Sequence, residues 1–433
     1  MGNKTKCLLL LVILMMLNTN AFSSQILKNT GSVINVATED ITPNNFTGSD
    51  IDRIQAAIHA AKGTTNKMVI PKRNSNGTNV WKIDRAILLP GNMTVILDNC
   101  IIQLSDQCRD NMFRSDNVGV GIANPTWNYN ISIVGVGDVL LQGADNPRST
   151  GDAYRTLTLT PGKGRVSYGS DAGKEGTKQK GDWRNNMIQI AYVDGFKLKN
   201  VNIVNSHAWA INFERTRNAE LSALRFFNPE DITVNGNKVK ASNKDCIDLR
   251  HGCKYFRIDD ITGVNGDDLI ALSSLDAAPY YHTNGDINSY QVTSTRWNGP
   301  EDDTEQVFIT NCQTDYTGVA IRASDSASIH HVYIDGIITK ARPDTPSPYG
   351  GSPYTLLVGG QGYGSQSIPG KINNIYATNL VGDGKSLILV ESPVANCQFI
   401  NGIYNGITPE AITYKIDKTT TVNILEINLI KTP

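Results

Sequence analysis

The sequence predicts an all-β chain: a single-domain right-handed parallel β-helix closed at its N-terminal end by one short capping helix. Three observations lead there. Charged residues make up only 19% while glycine is plentiful at 38 residues, a balance that suits a turn-rich β protein better than a helical bundle. Short β-branched runs such as Met93–Leu97, Ile131–Val134, Val201–Val204 and Val332–Ile334 follow one another with Asn, Gly and Asp between them. The runs also recur. Aligned on Ile258, Ile309, Ile334, Ile375 and Phe399, the steps are 51, 25, 41 and 24 residues. Halving the first step, and setting aside a Pro/Gly/Ser-rich insert (Pro343 to Gly370) in the third, leaves a period near 25. That is the mark of a solenoid whose turns cannot bury a face alone. Strands this short, with no helices between them, favour a β-helix over leucine-rich or helical repeats.

The elements follow in order. Lys4 and Lys6 precede an unbroken apolar stretch, Leu8 to Leu17, and Ala21-Phe-Ser23 offers a small-x-small cleavage site. Ten apolar residues are too few to span a bilayer, so residues 1–23 are expected to be a cleaved secretory signal, with the mature chain secreted or periplasmic. Residues 24–433 then form the β-helix. Ile51, Ile54, Ala57, Ile58 and Ala61 recur at helical spacing, Ser49 or Asp50 is placed to cap them, and Gly63 ends them. This helix is expected to cover the open end of the core. Asn205, Asn228, Asn265 and Asn311 come just after strands, where stacked amides can satisfy turn backbone groups. Gly143 to Gly181 is long, polar and rich in Gly and Lys, and reads as an insertion beside a cleft.

Composition narrows the function. Hydrophobic content of 40% excludes global disorder, and 40 Lys+Arg against 41 Asp+Glu leave a net charge of -1, against nucleic acid as a partner. No later apolar stretch is long enough to insert in a membrane. Cys100, Cys108, Cys246, Cys253, Cys312 and Cys397 show no zinc-like spacing and read as buried small hydrophobes. Cys100 with Cys108, and Cys246 with Cys253, are spaced to close short loops if oxidised. No metal or cofactor is expected, and the default state is a monomer.

The densest chemistry lies between Asn243 and Ser274. Asp245 and Asp267 are 22 residues apart, close to one turn, so stacking would set them on neighbouring rungs about 5 Å apart. Asp268 follows directly, and a bend at Gly266 would let both of the consecutive acids face one patch. Three converging carboxylates raise at least one pKa. A raised acid beside ionised neighbours is what cleavage of a glycosidic bond requires, one group protonating the leaving oxygen and another activating water.

These motifs carry a resemblance. Asn243-Lys-Asp245-Cys-Ile-Asp248, Gly266-Asp267-Asp268 and Gly318-Val-Ala-Ile-Arg322 resemble glycoside hydrolase family 28, the polygalacturonase-like group of pectin-lyase-like solenoids. By position, the resemblance implies that Asp267 is the general acid and that Asp245 with Asp268 activates water. It also implies inversion at the anomeric carbon, with the carboxyl groups roughly 6.5–9.5 Å apart to admit that water. The expected substrate is a polysaccharide containing galacturonic acid or galactose. The chain departs from the pattern at three places. It has no Gly-His-Gly between Asp268 and Gly318, Ala320 stands where the family has Arg, and Arg322 stands where it has Lys. Arg250 and His251, immediately after the Asp245 strand, are the candidates to replace the missing groups, and His282, the only His between Asp268 and Gly318, is a further candidate substrate contact. Arg322 reads equally as a substrate clamp or as an ion-pair partner of Asp315 or Asp325. Trp209, one rung before Asp245, reads as a sugar-stacking ring or a core aromatic. Two other functions fit the same residues. One is a β-helix polysaccharide lyase or epimerase, with the carboxylates holding Ca²⁺; the other is a non-catalytic glycan-binding solenoid.

Overall fold

The computed structural model describes residues 40–432, apart from 109, 120–121, 123, 146–164, 167–185, 207, 235–236, 242–243, 276–296, 341–353 and 360–365. The expected signal segment, His282 and most of the Gly143–Gly181 insert lie outside the described residues.

The chain winds as a parallel β-helix whose main sheet pairs each strand with those of neighbouring coils, and a small separate sheet joins Asp231–Val234, Asn237–Ala241 and Arg165–Val166. Inward side chains stack in columns. One column runs Ile133, Leu198, Leu221, Ile258, Ile309, Ile334, Ala377, Phe399. A second runs Ile188, Ile211, Ile247, Ile270, Val319, Leu356, Ile388, Ile412. All join one continuous core, each fully buried Ile or Leu contributing about 1.5–3 kcal/mol.

The register corrects the repeat read from the sequence. Ile258 pairs directly with Ile309, so the 51 residues between them are one coil rather than two. Ile334 stacks on Ala377, and Ile375 stacks on Val332. The β-period of two keeps positions 375 and 377 on the same face, which is why the sequence pattern did not separate them. The Pro343–Gly370 segment also holds a fully buried strand, Tyr354–Val358, pairing with Val319–Ile321 and with the strand Ser386–Val390.

The helix runs Asp50–Ala61 with Ser49 as its N-cap. The Asp52 N–H donates to Ser49 Oγ at 3.3 Å, and the Ser49 N–H donates to Asp52 Oδ2 at 3.3 Å. Its apolar stripe, Ile51, Ile54, Ala57, Ile58 and Ala61, is buried on the core. Gln55 completes the cover: its Nε2 donates to the Leu88 carbonyl at 3.1 Å and its Oε1 accepts the Leu88 N–H at 3.0 Å. Asn205 and Asn311, with many other asparagines, take the left-handed conformation at the bends (φ 54° for both), a geometry Asn tolerates better than most residues. Asn228 acts through its side chain, Oδ1 accepting the Ser206 N–H at 2.9 Å. The six cysteines named above are buried.

Candidate active site

The strand Lys254–Val264 ends and Asp268–Leu275 begins within three residues, so Asn265-Gly266-Asp267 forms the corner of a coil. This corner lets consecutive acids reach one patch. Asn265 holds it, donating from Nδ2 to the carbonyls of Thr317 (2.9 Å) and Asp267, while Thr317 Oγ1 also donates to the Asp267 carbonyl. Gly266 is required by crowding: an added Cβ would lie 2.9 Å from Lys244 Cβ and 3.0 Å from the Glu230 nitrogen.

One coil earlier, Ile247 pairs with Ile270 and Asp248 with Ala271. Continued backward, that register sets Asp245 beside Asp268, one residue on from the expected Asp267. Two bonds fix it. The Cys246 N–H donates to the Asp268 carbonyl at 3.0 Å, and the Asp268 N–H donates to Asp245 Oδ1 at 3.1 Å. Asp245, Asp267 and Asp268 each bring an oxygen within 4.8 Å of the others. That is tighter than the roughly 6.5–9.5 Å implied for two carboxyls flanking a water. The site is a fused group of three acids rather than a separated pair, and it could also hold a cation.

The three acids sit in different surroundings. Asp268 is 1% exposed and fully engaged: Arg322 Nη1 donates to Oδ2 at 2.5 Å and the Tyr354 hydroxyl donates to Oδ1 at 2.7 Å. Arg322 Nη2 closes the triangle, donating to Tyr354 Oη at 2.8 Å. Asp267 is only half-buried. Its carboxyl is pushed up to about 7, first by desolvation and then by the neighbouring Asp268 charge, with Arg322 opposing. Asp245 is raised well above the carboxylate range by burial, then by Asp248, Asp267 and Asp268. An accessible carboxyl able to carry its proton at neutral pH, beside an anchored carboxylate, is an acid–base arrangement.

The other expected residues divide. Arg322 is at the cluster, but its guanidinium is spent on Asp268 and Tyr354. Arg250 lies two positions beyond Asp248, 3% exposed, its guanidinium 5.4 Å from the Trp209 ring centroid. Trp209 is half-buried, next to Ala210, whose N–H donates to the Asp245 carbonyl at 2.9 Å. His251 is 1% exposed. Its Nε2 lies 2.8 Å from the Leu275 carbonyl and 3.0 Å from the Leu275 nitrogen, and its Nδ1 lies 3.8 Å from Glu214, so it faces backbone rather than the acids. Tyr354 was not visible in the sequence, because nothing local marks it and only the coil register carries it to Asp268. Asp248, quoted in the motif, was given no role there; burial, then the Asp268 charge, hold its carboxyl well up against the opposing Arg250.

Fold and site together define a parallel β-helix bearing a carboxylate group fit for glycosidic bond cleavage. Residues 158–285, which contain all three acids, match the family model described as Glycosyl hydrolases family 28, and by that match the chain is a glycoside hydrolase. Two solved structures are similar to it. The endo-xylogalacturonan hydrolase from Aspergillus tubingensis is 10% identical with a TM-score of 0.55, over 89% of this chain and 90% of that one. A double-mutant tailspike protein of E. coli bacteriophage HK620, in complex with a pentasaccharide, is 13% identical with a TM-score of 0.59, over 94% of this chain and 70% of that one. At these identities the likeness concerns the fold. No curated protein matches the sequence.

Proposed function

We propose that this glycoside hydrolase cleaves a pectin-like polysaccharide containing galacturonic acid or galactose, with inversion at the anomeric carbon. Asp267 gives its proton to the glycosidic oxygen as the bond to the anomeric carbon breaks. A water molecule bonds to that carbon from the opposite face and yields its proton to the Asp245–Asp268 pair. Arg322 and Tyr354 orient Asp268, and Arg250 with Trp209 meets the sugar. The observation that carries this reading is the contrast between Asp267, half-buried with its carboxyl pushed up to about 7 by desolvation and the Asp268 charge, and Asp268, buried under Arg322 and Tyr354. Residues 1–23 act as an export signal and the mature enzyme works outside the cytoplasm as a monomer. No helix among the described residues is long and apolar enough to cross a membrane.

The test is reducing-end release from a panel of pectic and galactan substrates by the natural protein and by Asp267→Asn, with and without chelator. Release by the natural protein alone, indifferent to chelator, supports the assignment. Activity that survives the substitution refutes it. The convergence of three acids within 4.8 Å also suits a Ca²⁺-dependent lyase. Chelator-sensitive activity giving an unsaturated, ultraviolet-absorbing product would establish that second reading.

A further inference from the structure

The outer wall on the N-terminal side of the acids carries a row of polar groups that the fold does not satisfy. Gln189 pairs in register with Asn212, and Asn212 with Asp248. Their strand neighbours Ile188, Ile190, Ile211, Phe213, Ile247 and Leu249 fill the core, so alternation turns the row outward. Gln189 and Asn212 are 0% exposed, Asp248 2% and Arg250 3%. Gln189 Oε1 accepts from Asn212 Nδ2 at 2.9 Å and from Asn186 Nδ2 at 3.0 Å. Gln189 Nε2, Asn212 Oδ1, Asp248 Oδ2, Arg250 Nε and Trp209 Nε1 have no hydrogen-bond partner within the protein. Buried polar groups are ordinarily paired, so five orphans side by side call for a partner.

We infer that Gln189, Asn212, Asp248, Arg250 and Trp209 form a subsite for a neutral sugar unit, recognised through its hydroxyls rather than through a carboxylate. The inference deepens the proposed function, in that it takes the neighbouring acids as the cleavage centre. Three of the orphaned atoms donate and two accept. A sugar hydroxyl does both, so a run of hydroxyls matches the row. A uronate carboxylate only accepts, and it would be set against Asn212 Oδ1 and Asp248 Oδ2. Two cations stand near: Arg322 is occupied by Asp268 and Tyr354, and Arg250, within the row, is set two positions from Asp248, whose charge opposes its own, with its guanidinium 5.4 Å from the Trp209 ring. In the next two coils the row continues as Ala271 and Ala320, which bring no charge. Half-buried Trp209 forms the open flank, where a ring can meet a sugar face.

The experiment is calorimetric binding to the full chain carrying Asp267→Asn. The ligands are oligogalacturonate fragments and the same fragments after reduction of each carboxyl to a primary alcohol. The reduced, neutral fragments should bind at least about tenfold more tightly. Trp209→Phe, which keeps a ring and removes Nε1–H, and Asn212→Ser should each weaken that binding by roughly three- to tenfold with the melting temperature held. Equal or tighter binding of the uronate, binding of neither ligand, or neutral binding untouched by both substitutions would overturn the inference. Binding is read without turnover, so a failed acid assignment for Asp267 would show separately, as activity retained in that variant.

Discussion

The Tyr354 hydroxyl donates to Asp268 across 2.7 Å although 86 residues of chain separate the two. The same oxygen accepts from Arg322 at 2.8 Å, so it fixes the carboxylate and its ion-pair partner together. Tyr354→Phe removes this link and leaves the ring. It should lower stability by about 1–2 kcal/mol and kcat by about tenfold, with KM little changed, as judged by thermal melts beside initial rates.

Replacing Asp267 by Asn should cost about 10²–10⁴ in kcat with an unchanged circular dichroism spectrum. The pH dependence follows from the raised carboxyl. The acid must hold its proton, so kcat/KM should fall as pH rises through about 7. For stability the sign is the same. The folded chain binds this proton more tightly than the unfolded chain, whose carboxyl titrates near 4. The group's contribution is therefore whole below about pH 4 and lost as pH climbs through about 7. Asp267→Asn should flatten that part of the melting curve against pH. An unchanged slope would contradict the assigned shift.

Gly266→Ala should destabilise the chain by about 1–3 kcal/mol, because the new methyl meets Lys244 Cβ at 2.9 Å and the Glu230 backbone. The corner carrying Asp267 would move with it, so activity should drop more than stability alone explains. Ser49→Ala, at the far end of the solenoid, should cost about 1 kcal/mol and leave kcat untouched. Denaturant melts and rates on the two variants give the comparison.

The stereochemistry can be read directly. A proton NMR time course begun on fresh substrate should show the product anomer opposite in configuration to the bond cleaved. Retention would point instead to one of the three acids attacking the anomeric carbon, a role their 4.8 Å spacing leaves room for.

Much of this was legible before any coordinates. The capping helix announced itself through Ser49 and the 51-54-57-58-61 spacing, because a cap and an apolar stripe are local signals. Asp245, Asp267 and Asp268 were legible through motif and turn chemistry. The pairing was less so. Asp245 neighbours Asp268 rather than Asp267 because a coil of 23 residues, not 22, separates Ile247 from Ile270, and periodicity does not fix a register to one residue. The 51-residue coil between Ile258 and Ile309 was divided in two because an average period cannot tell a long coil from a pair. Tyr354 had no local signature, since its role exists only across coils.

The acids and their supports ride on four successive coils, marked by Ile247, Ile270, Val319 and Leu356. Alignment of the three acids is therefore a property of three neighbouring interfaces rather than of either end of the stack. Whole coils could be added or removed elsewhere, lengthening or shortening the solenoid, while the acids kept their spacing. A slip of one residue at any of those three interfaces would turn an entire row of side chains to the opposite face and disassemble the site at once. The architecture is tolerant in length and intolerant in phase.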